Sequence, residues 1–419
     1  MSGIKKAIRA IVPAPLLSAY HFLLAYIGSA LYGFPSRKMI VIGVTGTDGK
    51  SSTTEYINAI FEAAGHHTAV SNSIRIKVNN ETGVATGRSM PGRFFIQRFM
   101  RRALRAGCTV AIIEMTSEGV RQHRHRAIAL DALVFTNLSP EHIESHGSFE
   151  AYADAKYQIG QVLARSPKRP RAIIANADDA QGPRYLALPV EKKYGFSLSN
   201  NAPYSTDTHG GYFTYGERID VALPGEFSLK NALAAACVAS AFNIDRAAIR
   251  AGVAAVKHIP GRLQEIKAGQ DFAVVVDYAL TPDALEALYT TYGTQKKICV
   301  FGSAGGGRDI WKRPVLGKIA EKYCDSVILT NDIAYDEDPA KIINDIAGGM
   351  STTPEIIPDR RAAIRRSLEI ARTNNDPNTV VLISGMGIDS EITSAEGAKI
   401  SWSDVDVTQE ELSRLLKRV

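Results

Sequence analysis

The segment Gly43-Val-Thr-Gly46-Thr-Asp-Gly49-Lys50-Ser51-Ser52 leaves the apolar run Met39–Thr45 and opens a stretch with Ile57, Ile60, Phe61 and Ala64 on one helical face. A glycine turn between a buried strand and a helix N-terminus is the context of a phosphate-binding loop. Glycines let backbone N–H groups close on phosphates, and the helix N-terminus adds positive potential. In such a loop Lys50 meets the β/γ-phosphates, and the Ser51 hydroxyl is a magnesium ligand. The strict GxxxxGK[ST] spacing is not met, because Val44 stands where its first glycine belongs. What remains is the tighter form GTxGK[ST].

Such a loop implies a parallel sheet, and the rest of the chain agrees. Continuous apolar runs at Thr109–Met115, Ala132–Leu138 and Arg171–Asn176 read as strands covered on both faces. Alternation with helical stretches makes the chain α/β. The first helix starts near Lys50 and stops at Gly65. An alanine-rich helix is expected over Leu229–Ala241, and Asp245 is a good N-cap for the next. Residues 195–222, rich in Gly, Asn, Ser, Thr and Tyr, read as a hairpin excursion. A second α/β block follows Ile259-Pro-Gly-Arg262, with strands at Phe272–Asp277, Lys297–Gly302, Ser326–Thr330 and Thr379–Ser384. Its helices are started by Thr281-Pro282 and Asp359. The expected domains are an apolar helical segment over 1–38, a nucleotide-binding domain over 39–258 and a smaller domain over 259–419.

The 419 residues, 45% hydrophobic and 22% charged, exclude a disordered or polytopic membrane chain. A net charge of +6 suits an enzyme of anionic substrates and gives no clustered basic face for nucleic acid. Cys108, Cys237, Cys299 and Cys324 lie far apart without a CxxC. They read as free thiols of a reducing compartment, excluding a disulfide framework or zinc ribbon. The uncharged run over residues 11–34, flanked by Lys5, Lys6, Arg9, Arg37 and Lys38, is expected to be a helix docked on the next domain. The alternative is an interfacial membrane helix giving the chain a peripheral membrane contact. The catalytic body reads as cytoplasmic.

Magnesium beside a phosphate needs hard oxygen ligands. Glu114 ends the second strand, where a parallel sheet presents ligand-binding groups. Asn137, Glu141 and His142 follow the third. His123, His125 and His146 read as polar surface or substrate contacts.

With these residues in place, the sequence resembles the Mur ligase family, ATP-dependent ligases that add amino acids to the peptide of cell-wall precursors. The resemblance is strongest to those that add the third residue, and runs from about residue 40 to about residue 400. It rests on Gly46–Ser52, Glu114–Arg124, Phe135-Thr-Asn137 with His142 and Tyr152–Lys156, Leu223–Ala236, Gly261-Arg262, Asp277-Tyr-Ala279, Phe301–Pro314 and Asp359–Ile364. It implies a P-loop-type central ATPase domain followed by a Rossmann-like domain, with ATP and Mg²⁺ as cofactors. It further implies that Gly46, Thr47, Asp48, Gly49, Lys50, Ser51, Ser52 and Asn137 hold ATP, joined by Arg262 and Asp277. Ser51 and Glu114 would ligate one magnesium and His142 a second, with Lys156 as a carbamylated lysine. Lys50, Glu114, His142 and Lys156 would be the catalytic set. Ser89, Met90, Thr116, Gln122 and Arg124 match contacts to a muramoyl-peptide acceptor. Arg308, Asp332, Gly385 and Asp389 match contacts to the incoming amino acid.

The departures from the family pattern are specific. About 38 residues stand where the family carries a uridine-binding domain, so that domain is expected to be missing. Asp48 replaces the loop's usual Asn, Glu141 the Asp before the histidine, and Leu280 the His after Tyr278-Ala279. The Asp-Asn-Pro-Arg motif of diaminopimelate-adding enzymes reads Asp332-Ile-Ala-Tyr335, and Gly-Lys-Gly-His-Glu reads Gly385-Met-Gly-Ile-Asp389. A lysine-like or neutral amino acid is therefore expected, in a pocket made acidic by Asp332, Asp336, Glu337, Asp338 and Asp389. Two other readings stand beside this one: a ligase of the same fold on a different or lipid-linked acceptor, and a catalytically silent, membrane-tethered regulatory relative.

Overall fold

Consecutive residues of the first strand face opposite ways into two separate cores. Val41 packs with Ile96, Phe99, Ile113, Ile159 and Leu163, whereas Ile42 and Val44 pack with Ile57, Ile60, Phe61, Leu229 and Leu233. That is why the run is apolar at every position. The computed structural model describes residues 13–84, 89–393 and 398–417. Its larger sheet contains β1 (Ile40–Thr45), β2 (Thr68–Ser71), β3 (Arg75–Val78), β4 (Glu81–Val84), β5 (Val110–Glu114), β6 (Ala132–Phe135), β7 (Ala172–Asn176) and β8 (Lys192–Phe196). They lie in the order β4-β3-β2-β5-β1-β6-β7-β8. The six strands from β2 to β8 run parallel, and β3 and β4 extend the edge antiparallel. β1 is central, and its register puts Val44 level with both Glu114 and Val134. The glycine loop therefore emerges beside Glu114.

The helix after the loop, Lys50–Ala63, packs against the alanine-rich helix Glu226–Ala241, which starts three residues earlier than expected, and against Arg246–Ala255. Asp245 caps the last of these by accepting from the Ala248 N–H at 2.8 Å. The excursion before them is a three-stranded antiparallel sheet of β9 (Ser205–Thr206), β10 (Gly211–Thr214) and β11 (Arg218–Val221).

The second sheet contains β12 (Gln264–Glu265), β13 (Ala273–Asp277), β14 (Lys296–Phe301), β15 (Ser326–Leu329), β16 (Glu355–Ile356) and β17 (Thr379–Ser384), in the order β12-β13-β17-β14-β15-β16. All but β12 are parallel. Thr281 and Asp359 cap the helices Pro282–Thr291 and Arg360–Asn374.

The cysteine expectation is corrected in part. Cys299 and Cys324 form a disulfide, with Cα atoms 6.3 Å apart, while Cys108 and Cys237 are free and buried. Cys299 lies on β14, and Cys324 ends the crossover helix that leads to its neighbour β15. The crossover brings together two residues that linear spacing keeps apart. The N-terminal run is helical over Ala14–Leu31 and packs on the helix Arg93–Arg105. Among the described residues no helix is long and apolar enough to cross a membrane.

Candidate functional site

The loop over residues 46–49 is shaped by contacts that leave no room for side chains. A Cβ on Gly46, whose φ is +154°, would lie 1.8 Å from Thr136 Oγ, and one on Gly49, at φ +77°, would lie 2.4 Å from Asn231 Oδ1. Asn137 Oδ1 accepts from the Thr47 N–H (3.1 Å) and the Asp48 N–H (2.8 Å), and the Thr136 hydroxyl donates to the Asp48 carbonyl at 2.7 Å. Asn137 thus holds the loop's own amides. Lys50 Nζ donates to the Thr47 carbonyl at 2.7 Å and lies 3.9 Å from Glu114 Oε1.

Glu114 is almost wholly buried and accepts from three groups. The Ser51 hydroxyl donates to it at 2.9 Å, the Ser73 N–H at 2.9 Å and the Ser73 hydroxyl at 3.1 Å. The Ser73 and Ser89 hydroxyl oxygens are 2.7 Å apart. This gives a cluster of hydroxyl and carboxylate oxygens at a helix N-terminus, the donor set for a hard cation carrying phosphate. The loop and cluster therefore fit a magnesium nucleotide.

Lys156, on the helix Phe149–Ala164, reaches beneath the loop. Its ammonium donates to the Gly46 carbonyl and lies 4.9 Å from the Tyr152 ring centre. Burial, and then the charge of Lys50, hold its pKa well below the usual lysine range. Burial also pushes His142 down to about 4, with Lys156 adding to the effect, so its imidazole is neutral at physiological pH. Glu141, His142 and Asp309 bring ligand atoms within 4.8 Å of one another. Burial raises Glu141 to about 7, against the opposing charge of Lys312, whose ammonium donates to it at 2.8 Å.

Here the two sheets' elements meet. Asp309 accepts from the His142 and Ile143 N–H groups at 2.8 and 3.0 Å, and Glu144 accepts from the Asp309 N–H at 2.7 Å. Thr281 donates to Asp48 at 3.0 Å, tying the residue that replaces the usual Asn to the second domain.

On the acceptor side, Thr116 caps the short helix Ser117–Arg121, and Arg124 donates to Gln122 Oε1 at 2.7 Å and to the Met90 carbonyl. The Met90 side chain is buried and packs on this segment, where a Cβ on Gly119 would lie 2.3 Å from its sulfur. His125 is also buried and held at about 3 by desolvation, and the His146 side chain is only 3% exposed, so of the two readings, surface or substrate contact, the surface one fails for both.

Across the cleft, the Arg262 guanidinium lies 4.5 Å from the Tyr278 ring centre, and Asp277 accepts from the Leu263 N–H at 2.7 Å. The Tyr278 hydroxyl donates to Asp389 at 3.3 Å. Asp332 is buried, and its Oδ2 has no hydrogen-bond partner. Gly385 leaves space for that oxygen, since a Cβ there would lie 2.9 Å away. Arg308 is exposed and stacks on Tyr335 at 4.6 Å. Two of the five acids expected to line an acidic pocket are engaged elsewhere. Glu337 is taken by Arg313 at 2.7 Å, and Asp338 caps the helix Pro339–Ala347.

Residues 44–239 match the Mur ligase middle domain, and residues 261–387 match the Mur ligase glutamate ligase domain. The UDP-N-acetylmuramoyl-L-alanyl-D-glutamate–2,6-diaminopimelate ligase of Syntrophomonas wolfei is 36% identical over 87% of this chain and 76% of its own length. The chain belongs to the Mur ligase family. The UDP-N-acetylmuramyl-tripeptide synthetase of Roseiflexus is 34% identical, over 96% of this chain and 84% of its own. Among solved structures, a UDP-N-acetylmuramoyl-L-alanyl-D-glutamate–2,6-diaminopimelate ligase superposes with a TM-score of 0.58 at 27% identity, covering 90% of this chain and 79% of that one. The fold alone is shared with Mycobacterium tuberculosis folylpolyglutamate synthase, at a TM-score of 0.72 and 18% identity over 87% of this chain and 92% of that one.

Among the residues of this Mur ligase site that escaped the sequence reading are Ser73, Asn231 and Asp309. Ser73 follows β2, a four-residue strand without a strong pattern, and nothing in its neighbours marks it. Asn231 sits in an alanine-rich helix whose composition speaks only of packing, yet its carboxamide accepts from Thr53 Oγ at 3.2 Å and faces Gly49.

Proposed function

We propose that this chain is an ATP-dependent, ADP-forming ligase that joins an amino acid to a muramoyl-peptide acceptor, working in the cytoplasm where ATP is supplied. The observation that carries the reading is the cluster of Lys50 with the buried Ser51 and Glu114 beneath a loop that the second domain reaches through Thr281, while Asp309 holds the adjoining His142 segment. Residues 46–52 would cradle the triphosphate, with Arg262 and Asp277 facing the nucleotide from the second domain. Ser51 and Glu114 would hold magnesium, which supplies charge neutralisation when bound.

The acceptor, held by Ser89, Thr116, Gln122 and Arg124, offers a carboxylate whose oxygen attacks the terminal phosphorus as the bridging bond to ADP breaks. Lys50 stabilises the charge spread over the transferring group. The amino group of the incoming residue then attacks the acyl phosphate carbonyl, gives up a proton and expels phosphate. His142 and Lys156 would belong to a second cation site. A buried amine kept neutral is the form that combines with carbon dioxide, so carbamylation would give Lys156, with loss of a proton, a carboxylate that suits a metal.

For the amino acid, the buried Asp332 and the half-buried Asp389 remain available as carboxylates, while Tyr335 offers no cation to the second carboxylate of diaminopimelate. This supports a lysine-like or neutral residue. The test is ADP release from the full chain with ATP, magnesium, muramoyl-dipeptide nucleotide and each amino acid in turn. Release requiring both acceptor and amino acid is expected, without a preference for diaminopimelate. Release that ignores either co-substrate would overturn the ligase reading.

A further inference from the structure

The helix Ala14–Leu31 is apolar on both faces. Its inward face combines the buried small residues Ala25, Gly28 and Ser29 with the half-buried Leu17 and Leu24, and a Cβ on Gly28 would already touch the Phe94 ring at 3.4 Å. Further large apolar residues point outward. Leu16, Tyr20, Leu23, Ile27 and Leu31 follow one another at steps of four, three, four and four, forming one stripe, and each is 45% to 69% exposed. A helix that needed only to dock would carry polar residues on its outer face in place of an unbroken row of large apolar ones. A continuous exposed stripe of this kind marks an interaction surface.

Charge identifies what covers it. The first acidic residue of the chain is Asp48, whereas Lys5, Lys6, Arg9, Arg37 and Lys38 precede it. Arg37 and Lys38 are exposed at the helix's C-terminal end. The helix beneath, Arg93–Arg105, carries no acidic residue, and its Arg98 and Arg105 are exposed. An apolar stripe with a basic surround and no acidic neighbours in these segments is complementary to an anionic lipid surface.

We propose that the helix Ala14–Leu31 lies in the headgroup layer of an anionic bilayer, parallel to the surface, and docks the enzyme there. The same helix sits on the acceptor segment: the Ser18 hydroxyl and His123 Nε2 are 2.8 Å apart, and Phe22 meets the His123 ring edge-on at 5.9 Å. Where the proposed function holds, docking therefore keeps Gln122 and Arg124 close to the membrane face, as an acceptor carried on a lipid requires.

The test is sedimentation of the full chain with vesicles of phosphatidylcholine, with or without phosphatidylglycerol, and needs no ligase activity. The native chain is expected to sediment with anionic vesicles and to release in high salt. The double variant Leu23→Glu, Ile27→Glu should bind at least about tenfold less, while its ADP release on a soluble acceptor is unchanged. A Tyr20→Trp chain, quenched by brominated anionic lipid, reports insertion without adding a charge. Equal sedimentation of variant and native chain, or none by either, overturns the proposal. So would a dimer that the double variant converts to monomer without any vesicle binding, since the stripe would then cover a second copy.

Discussion

Replacing Gly46 by alanine tests whether the loop's shape depends on its close approach to Thr136. The new methyl would lie 1.8 Å from Thr136 Oγ and 3.1 Å from Asn137 N and O. Relief requires Thr136 to rotate, which gives up its 2.7 Å hydrogen bond to the Asp48 carbonyl. That bond contributes about 1 kcal/mol, and alanine at the φ of +154° adds a strain of about 1–2 kcal/mol. The sum, about 2–3 kcal/mol, corresponds to about 30- to 150-fold in nucleotide affinity. Thr136→Ala alone loses only the hydrogen bond, about fivefold. In the double variant the nearest clashing atom is gone, so the second substitution should cost nothing further once Gly46 has been replaced. Titration calorimetry with a non-hydrolysable ATP analogue measures all four corners of the cycle. Additive losses, or a Gly46→Ala enzyme within about threefold of the parent, would refute the steric argument.

Other expectations reach different parts of the molecule. Lys156→Gln should abolish a carbamate resonance seen after incubation with ¹³C-bicarbonate and lower turnover by about 100-fold or more; a resonance that survives excludes this lysine as the carbamylated group. Asp389 is raised to about 6 by burial and then by the charge of Asp332. Protonation below that value removes a charge from the pocket, so kcat/KM for a cationic amino acid should rise with pH up to about 6 and level off above it. Asp389→Asn should flatten the profile, and an unchanged profile would remove Asp389 from the site. Arg360 and Asp404 form a wholly buried ion pair at 2.7 Å. Asp404→Ala leaves the guanidinium uncompensated and should cost about 3–5 kcal/mol in urea unfolding; a cost under about 1 kcal/mol would mean that water or another group solvates Arg360.

The sequence was most legible where one physical demand dominates a short segment. The strand, loop and helix around Lys50 were readable because a buried strand, a turn at positive φ and a helix start each restrict residue type. Strands β13, β14, β15 and β17 of the second sheet were readable as near-continuous apolar runs, whereas the two-residue β12 and β16 are too short and exposed to leave a pattern. The caps Asp245, Thr281 and Asp359 were plain because short polar side chains at helix starts have one function. The edge strands β3 and β4 were not read, since Arg75, Lys77 and Glu81 break the apolar pattern, and sequence cannot show that Glu55 and Glu62 pair with Arg75 and Lys77 on an otherwise buried β3. Glu337 and Asp338 looked like pocket acids because sequence cannot show that Arg313 and a helix N-terminus already occupy them. The Cys299–Cys324 bond was missed because it depends on a crossover, not on spacing.

The account's central claim is that Lys50 and its loop serve transfer of a phosphoryl group to an acceptor carboxylate. Mass spectrometry tests it on an acceptor whose carboxylate oxygens carry ¹⁸O, incubated with ATP, magnesium and an amino acid. Acyl phosphate formation predicts one ¹⁸O in the released phosphate for each amide formed, and Lys50→Ala should slow both by about 1000-fold or more. Unlabelled phosphate alongside amide product would contradict it, as would near-normal turnover of the Lys50→Ala chain.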